Sequence, residues 1–287
     1  MIVVTGATGN LGSQVVDRLL ARVPADTVGV SVRDVGNAEA LTGRGVRVRA
    51  GDFTAPATLA HAFDGADQVL VVSASIRGAG AVAANIAAID AARDAGAQRI
   101  LYTSHQAASR DSLFAPATTH AETEAHLARQ DVPFTALRNG FYATTLGHYL
   151  DDALDTGRLV APEDGPVSWT AHADLAQAAV AALLDDGTLD GVTPPLTAPE
   201  LLDLAGVADT LSDLTGRVVT RVVAGDEDWK ANAVQHGMPP QAADFTLGLF
   251  RAARHGEFAV TDPTLETVIG HRPASARSVL RDMLSRR

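Results

Sequence analysis

Apolar residues in the first 140 positions are arranged as short runs that alternate with helical patterns. The runs are rich in β-branched residues and apolar on both faces, which is typical of buried parallel strands. The first predicted strand is the short β-branched run before Gly6, and the others are Thr27–Val32, Gly45–Ala50, Gln68–Val72, Arg99–Thr103 and Pro133–Leu137. The predicted helices between them are Ser13–Leu20, Ala38–Leu41, Thr58–Phe63, Ala81–Ala95 and His120–Arg129. This alternation predicts an α/β fold with a doubly wound parallel sheet of the Rossmann type.

The pattern changes in the second half of the chain. Residues Gly157–Pro166 are rich in Gly, Pro and acid and are predicted to form a loop, and Ala171–Leu184 is predicted to be a helix. After Pro194 the pattern is mostly helical, with a short apolar strand at Arg217–Val223. We therefore expect a NAD(P)-binding Rossmann domain over 1–190 and a smaller α+β lobe over 191–287 on the substrate side. The segment 141–166 is expected to contribute to the substrate cleft.

Three glycines follow the first predicted strand at a spacing of three, and a helical pattern follows them at once. Gly6 allows a tight turn, Gly9 lets the backbone approach a pyrophosphate, and Gly12 lets the helix pack against the strand. The free N–H groups and positive end of that helix favour a phosphate. Because the strand and the helix are both present, this loop predicts a dinucleotide site.

Arg33 follows the second predicted strand, about 20 residues beyond the glycines. A guanidinium at this place can pair with a 2′-phosphate, so NADP(H) is favoured over NAD(H). Asp34 is the competing residue, because an inward carboxylate could bind the 2′-hydroxyl of NAD(H) instead.

Composition excludes several classes of function. The chain has no cysteine, so disulfides and thiolate chemistry are ruled out. The net charge of −11 disfavours a nucleic-acid partner. No window is typical of a membrane span, and a cytoplasmic location is expected. Lys230 is the only lysine, so a lysine-dependent mechanism in the nucleotide domain would need that residue to fold back.

A family resemblance rests on motifs that occur in order along nearly the whole chain. They are Gly6–Gly12, Val32–Arg33, Gly51–Phe53, Tyr102–Ser104, His120–Glu124, Leu137–Phe141 and Ile269–Pro273. Together they resemble the NmrA-like group of atypical short-chain dehydrogenases, and within it the bacterial NADPH:quinone oxidoreductases. The resemblance implies NADP(H) in the cleft and either quinone reduction or cofactor sensing.

The same resemblance implies a set of cofactor-binding residues. It assigns the pyrophosphate to Gly6, Thr8, Gly9, Asn10, Leu11 and Gly12, the 2′-phosphate to Arg33, and the flanks of the adenine to Asp52 and Phe53. It assigns the ribose and diphosphate to Ser73, Ala74 and Ser75, the nicotinamide side to Thr103 and Ser104, and the floor below the nicotinamide to Asn139, Gly140, Phe141 and Tyr142. All follow predicted strands at their carboxyl ends, where open α/β sheets bind ligands.

The chain departs from the pattern of ordinary short-chain dehydrogenases, which use a Tyr-x-x-x-Lys pair for proton transfer. No such pair is present, and Ala125 occupies the place where the quinone-reductase look-alikes have a lysine. Either the neighbouring His126 replaces that lysine or the chemistry needs no such group.

Quinone reduction by hydride does not require a strong general acid, because the aromatic ring stabilises the hydroquinone anion. The candidate proton donors are Tyr142, His105 and solvent. The alternative for Tyr142 is aromatic packing in the core, and the alternative for His105 is a position in a surface loop. Phe114, Phe141 and Trp169 are candidates to stack on a flat ring or to belong to the core. His120 and Glu124 lie one helical turn apart, and a contact at the helix surface is expected there rather than a metal site.

Two function classes follow. The leading one is an NADPH-dependent oxidoreductase that reduces a quinone or a related aromatic or polycyclic ketone. The alternative is a non-catalytic NADP(H)-binding redox sensor that acts through a protein partner, and the missing lysine motivates it. The expected partner is a small aromatic substrate, and a homodimer is left open.

Overall fold

The computed structural model describes residues 1–76, 78, 80–185 and 187–287. Within these ranges the chain forms one large and one small parallel sheet with helices around them. The strands are β1 (Ile2–Thr5), β2 (Val28–Val32), β3 (Arg47–Ala50), β4 (Gln68–Val71), β5 (Arg99–His105), β6 (Phe134–Asn139), β7 (Arg158–Pro162), β8 (Gly191–Val192) and β9 (Thr220–Ala224). The helices of the first half are α1 (Asn10–Leu20), α2 (Glu39–Gly43), α3 (Leu59–Phe63), α4 (Gly80–Asp94) and α5 (Ala115–Leu127). Those of the second half are α6 (Leu150–Thr156), α7 (His172–Leu184), α8 (Leu204–Thr215), α9 (Asp226–Gln235), α10 (Pro240–Arg254), α11 (Thr264–Ile269) and α12 (Ala276–Ser285).

The large sheet confirms the predicted doubly wound fold. Its strand order is β3-β2-β1-β4-β5-β6-β8, and every neighbouring pair is parallel. The chain winds outward in one direction from β1 to β3 and in the other from β4 to β8. The crevice at the carboxyl ends of β1 and β4 is therefore the topological switch point, where such sheets bind ligands.

Helices cover both faces of this sheet because alternate strand residues point to opposite sides. Val4, Leu70 and Leu101 belong to the core with α1, α7 and α11, whereas Val3 and Ile100 belong to the core with α3, α4 and α5. These side chains are fully buried. Burial on both faces explains why the strands are almost continuously apolar in sequence.

The predicted loop at Gly157–Pro166 is wrong in part, because strand β7 occupies Arg158–Pro162. Gly157 ends α6 in the left-handed conformation, with φ of +70°, and the chain then extends. Leu159 and Ala161 point into a core while Arg158 and Val160 are exposed, which is the period of a half-buried strand. β7 pairs in parallel with β9, near the predicted strand at Arg217–Val223.

The small lobe has its own core, and this core draws on residues from before and after position 190. It includes Leu146 and Leu159 together with Phe250 and Leu280. Strand β8 meanwhile returns the chain to the edge of the large sheet beside β6. The boundary between 190 and 191 stays a prediction.

None of the helices in the described ranges has the length and apolar character needed to cross a bilayer.

Candidate cofactor and substrate site

The glycine loop between β1 and α1 has the geometry of a phosphate cradle. Gly6 has φ of +59°, which favours glycine, and the Gly9 amide donates a hydrogen bond of 2.9 Å to the Gly6 carbonyl. A Cβ atom at Gly12 would lie 2.2 Å from the Gly6 carbonyl oxygen, so that position tolerates no side chain. The helix N-terminus, with Gly9 as its N-cap, has no side-chain cap, which leaves its amide groups and positive end available to an anion.

Three neighbouring residues complete this loop. Thr8 and Asn10 are exposed beside the cradle, whereas the Leu11 side chain is buried in the core behind it. Leu11 can therefore serve a pyrophosphate only through its backbone, and its side chain fixes the first turn of α1.

Arg33 and Asp34 are separated by their hydrogen bonds. The Asp34 carboxylate accepts bonds from the Gly36 amide at 2.9 Å and the Asn37 side chain at 3.1 Å. It thereby caps the short turn after β2, and it does not line the cavity that Arg33 lines. Arg33 is exposed and forms no ion pair with any residue that the structure describes. Its guanidinium lines a small cavity, as a 2′-phosphate ligand would.

That small cavity, of about 190 Å³, lies beside the carboxyl ends of β2 and β3. Asp52 and Phe53 line it with Arg33. Hydrogen bonds from the backbone and side chain of Thr54 hold the pKa of Asp52 below its usual value, with a smaller contribution from Arg33. Sequence reasoning missed Ser31, whose buried hydroxyl faces the cavity without a partner among the described residues. A polar residue inside the apolar strand β2 was the available signal.

The segment after β4 joins the small cavity to a larger one, and a hydrogen-bond network holds it in place. The Ser73 amide donates to Thr103 Oγ1 at 2.8 Å, and the Ala74 amide donates to Asn85 Oδ1 at 2.8 Å. Ser75 lines both cavities. Thr103 itself lies buried beneath Ser73, so it supports the segment and does not line either of these two cavities.

The larger cavity has a volume of about 410 Å³ and lies at the carboxyl ends of β4, β5 and β6. Aromatic rings and a few polar groups form its wall. The lining residues include Ser73, Ser104, His105, Phe114, His120, Asn139, Gly140, Phe141, Tyr142, His148 and Phe245. A mostly apolar pocket with few polar groups is typical of a small-molecule site.

His105 lies in this wall with its ring among aromatic neighbours. Its Nδ1 accepts a hydrogen bond from the Ala107 amide at 3.1 Å, so Nε2 carries the proton of the neutral ring. Nε2 is buried and meets no partner among the described residues. Burial, with a smaller effect from His120, lowers the pKa of His105 to about 3.

Tyr142 follows β6, where the family resemblance puts the cavity floor. Burial raises the pKa of its hydroxyl, and the Asn139 side chain opposes that rise. Tyr142 therefore keeps its proton at neutral pH. Its ring packs on His172 with centroids 4.2 Å apart.

The predicted surface contact between His120 and Glu124 is wrong, because both side chains point into the protein. Glu124 is 6% exposed, accepts a bond from Ser104 Oγ at 2.5 Å, and forms a bidentate ion pair with Arg138. His120 lines the larger cavity, and its Nδ1 lies 2.8 Å from the Tyr102 hydroxyl.

Asn139 and Gly140 lie on the cavity floor for different reasons. Asn139 is buried, and its Oδ1 has no hydrogen-bond partner within the described chain. Gly140 is required by packing, since a Cβ atom would lie 2.2 Å from Thr170 Oγ1 and 2.8 Å from the Leu196 carbonyl oxygen.

Of the three predicted stacking residues, Phe114 and Phe141 line the cavity, and Trp169 does not. Trp169 is 3% exposed, donates its indole N–H to the Leu202 carbonyl, and meets Phe141 edge to face. It belongs to the core of the small lobe.

Neither candidate for the missing lysine reaches the site. His126 Nε2 lies 2.8 Å from Asp90 on α4 and does not line the larger cavity. Lys230 pairs with Asp244 between α9 and α10. No lysine of the described chain therefore lines this cavity.

The residues present fit NADP(H). Gly12 lets the helix pack against the Gly6 carbonyl, and Gly9 leaves open the space where a pyrophosphate would lie. Arg33 is available for a 2′-phosphate, and Ser31, with an unpaired hydroxyl, lines the same cavity. Asp34, the residue that would favour NAD(H), is occupied elsewhere.

Comparison with known proteins gives the same assignment. A model of the NmrA-like family matches residues 1–273. Quinone oxidoreductase 2 of Escherichia coli is 33% identical over 273 residues, which cover 94% of each chain. The NAD(P)H azoreductase of Xenophilus azovorans is 34% identical over 277 residues, which cover 96% of this chain and 94% of the azoreductase.

Solved structures are similar over nearly their whole length. The NADPH-dependent quinone oxidoreductase from Escherichia coli, complexed with NADPH, has a TM-score of 0.92 at 30% identity, covering 99% of this chain and 100% of that one. The Citrobacter sp. triphenylmethane reductase complexed with NADP(H) has a TM-score of 0.89 at 30% identity, covering 98% and 99%. The sequence motifs, the fold and the family match agree, and the chain belongs to the NmrA-like family.

Proposed function

We propose that this protein is an NADPH-dependent oxidoreductase that reduces a quinone or a related aromatic or polycyclic ketone by hydride transfer. One observation carries the proposal: an aromatic-walled cavity adjoins the cavity beside Arg33, and the two share the residues Ala74, Ser75 and Ile76. Relatives that are at least 30% identical are named for the reduction of quinones and azo compounds. A flat conjugated acceptor is the substrate class common to this cavity and those names.

Different residues bind the cofactor and contact the substrate. When bound, the reduced nicotinamide supplies a hydride. The glycine loop and Arg33 fix the phosphate groups, and the segment after β4 fixes the ribose, so that the reacting ring is held against the larger cavity. Phe114 and Phe141 offer faces and edges to a planar substrate and keep water away from it.

The substrate oxygen gains negative charge when the hydride arrives, and the site offers neutral hydrogen-bond donors to it. Tyr142 is protonated at neutral pH because burial raises its pKa. His105 carries its proton on Nε2 but keeps that atom buried. We therefore retain both as candidate catalytic residues, with Tyr142 as the hydroxyl donor.

The proposal is tested by NADPH oxidation with a panel of benzoquinones and naphthoquinones, with NADH run in parallel. We expect quinone-dependent oxidation that prefers NADPH. NADPH that binds tightly but is not oxidised by any quinone would contradict the proposal and favour the sensor. Binding of both cofactors is measured in the same samples by fluorescence quenching.

The remaining parts of the proposal concern the setting of the reaction. We propose a small aromatic substrate, which fits the aromatic wall of the larger cavity, and a cytoplasmic location. We also propose no nucleic-acid partner, because the chain carries a net charge of −11. A homodimer is part of the proposal, and light scattering on the purified protein measures it directly.

A further inference from the structure

We propose that His120 is a catalytic residue that donates a hydrogen bond from Nε2–H to the substrate oxygen that becomes negatively charged. This inference rests on the proposed function. It adds to that function the side chain that stabilises the negative charge on the substrate oxygen. His120 is held by a buried network that starts at the cofactor-binding segment.

The network favours one direction for each hydrogen bond. Asn85 Oδ1 accepts from the Ala74 amide at 2.8 Å, so the Asn85 amide nitrogen faces the other way. That nitrogen donates to the Tyr102 hydroxyl oxygen at 3.1 Å. The Thr123 hydroxyl also bonds to Tyr102, and we assign the Tyr102 proton to His120 Nδ1, 2.8 Å away. Since Nδ1 is an acceptor, the proton of the neutral imidazole lies on Nε2.

The position of the ring directs Nε2–H toward the substrate. Nδ1 faces the core through Tyr102, which is fully buried, so the opposite edge of the ring faces the larger cavity. His120 also lines an adjoining groove of about 660 Å³ between α4 and α5, so it stands where the two spaces meet. Glu124, one turn further along α5, is turned away to Ser104 and Arg138 and does not compete for the ring.

The ring acts as a neutral donor and keeps its proton. Burial lowers the pKa of His120 to about 4, and its ring contacts Tyr102 and His105. Tyr142 and His148 also line the larger cavity. In the balanced reaction the quinone receives a hydride from the cofactor and a proton from water to give the hydroquinone. The imidazole stabilises the charge that develops between these two events.

Kinetics of matched variants test the inference. His120→Leu removes the donor, and His120→Gln places an amide N–H near the same position. We expect kcat/KM for quinones to fall about 10- to 100-fold in His120→Leu, as for a lost hydrogen bond to a charged group, and to recover in His120→Gln. His126→Leu, on the same helix but away from the cavity, is the control and keeps the wild-type rate.

The dependence on the acceptor separates this role from a structural one. The loss in His120→Leu should increase with the basicity of the reduced quinone, because a stronger oxyanion gains more from the donor. A uniform loss across the quinone series, or none, overturns the inference. The affinity for NADPH should be the same in both variants and the wild type.

Spectroscopy provides a readout that does not depend on turnover. Nitrogen-15 NMR of the wild type should show His120 with a protonated Nε2 and an unprotonated Nδ1 from pH 8 to pH 5. Tyr102→Phe should change the Nδ1 shift and mix the two tautomers. A protonated Nδ1 in the wild type overturns the inference. A wild type that binds NADPH but reduces no quinone overturns the proposed function, and the catalytic role of His120 with it.

Discussion

At the scale of single residues, neighbours in the sequence have different roles because their hydrogen bonds differ. Asp34 uses its carboxylate to cap a turn, and this leaves Arg33 as the cationic side chain that lines the small cavity. Gly12 and Gly140 are both required to be glycine, one by the Gly6 carbonyl and the other by Thr170. Individual contacts therefore decide cofactor choice and the shape of the cavity floor.

Replacing Arg33 by Ala should weaken NADPH binding about tenfold to a hundredfold and leave NADH binding nearly unchanged. The reason is that charge-assisted bonds to the 2′-phosphate are lost only with NADPH. Titration of each cofactor by fluorescence measures the two affinities. Arg44→Ala, which breaks a surface pair with Asp17, is the control. Equal losses for both cofactors would refute the assignment of Arg33.

Gly12→Ala and Gly9→Val should separate folding from binding. An alanine Cβ at Gly12 would overlap the Gly6 carbonyl, so we expect a lower melting temperature and no cofactor binding. Gly9 has an extended backbone and more space, so Gly9→Val should fold while its side chain blocks the pyrophosphate. Melting curves without cofactor and NADPH titrations measure both effects. Tight binding by Gly9→Val would exclude the loop as the phosphate site.

At the scale of elements, helix α5 connects the sheet to the substrate cavity. Glu124 anchors it to β5 and β6 through Ser104 and Arg138, and Leu127 packs in the core below the sheet. One turn before that anchor, the same face of the helix carries His120 to the cavity wall. Because residues four apart lie on the same face of a helix, the buried ion pair of Glu124 also determines where His120 lies in the site.

Glu124→Ala should destabilise the protein by about 3 kcal/mol, because Arg138 and Ser104 lose their buried partner. Arg138 remains charged, and its pKa is raised by the hydrogen bond to Glu124. Urea unfolding measures the change in the free energy of unfolding. Glu122→Ala, an exposed residue on the same helix, should have little effect. Equal stability of the two variants would show that the ion pair does not anchor α5.

At the scale of the whole molecule, the site lies where three hydrophobic cores meet. The cores on the faces of the large sheet hold the strands and helices that bind the cofactor. The core of the small lobe contains Phe114 and Phe141, which close the substrate side of the cavity. The same packing buries two imidazoles, so the stability of the whole chain is linked to pH.

Stability should fall as the solution becomes acidic. His105 and His120 have folded pKa values of about 3 and about 4, below the value near 6.5 expected in the unfolded chain. The unfolded chain therefore binds more protons below pH 6.5. The stabilisation is complete above pH 6.5 and is lost as the pH falls toward 4.

Lowering the pH from 7 to 5 should reduce the free energy of unfolding by roughly 1 to 2 kcal/mol for each of the two buried rings. Urea unfolding at the two pH values measures this loss. His120→Gln should remove the part of this pH-dependent loss that His120 contributes. His236→Gln, at an exposed position, should leave the loss unchanged. The same pH dependence in wild type and His120→Gln would contradict the burial of a neutral imidazole.

The sequence by itself determined the fold class and the cofactor end of the site. Periodicity is local, so the strands and helices of the first 140 residues could be predicted. The glycine loop and Arg33 could be recognised because they are contiguous with β1 and β2. The alternation of the two faces in β7 was hidden by flanking glycine, proline and acidic residues.

Only the tertiary structure decided the substrate end of the site. Asn85, Tyr102 and His120 are distant in sequence and meet through hydrogen bonds between α4, β5 and α5. Trp169 and Phe141 have similar aromatic character, yet packing buries one and leaves the other on the cavity wall. Side-chain direction and burial depend on contacts between elements, and these contacts have no signal in local sequence.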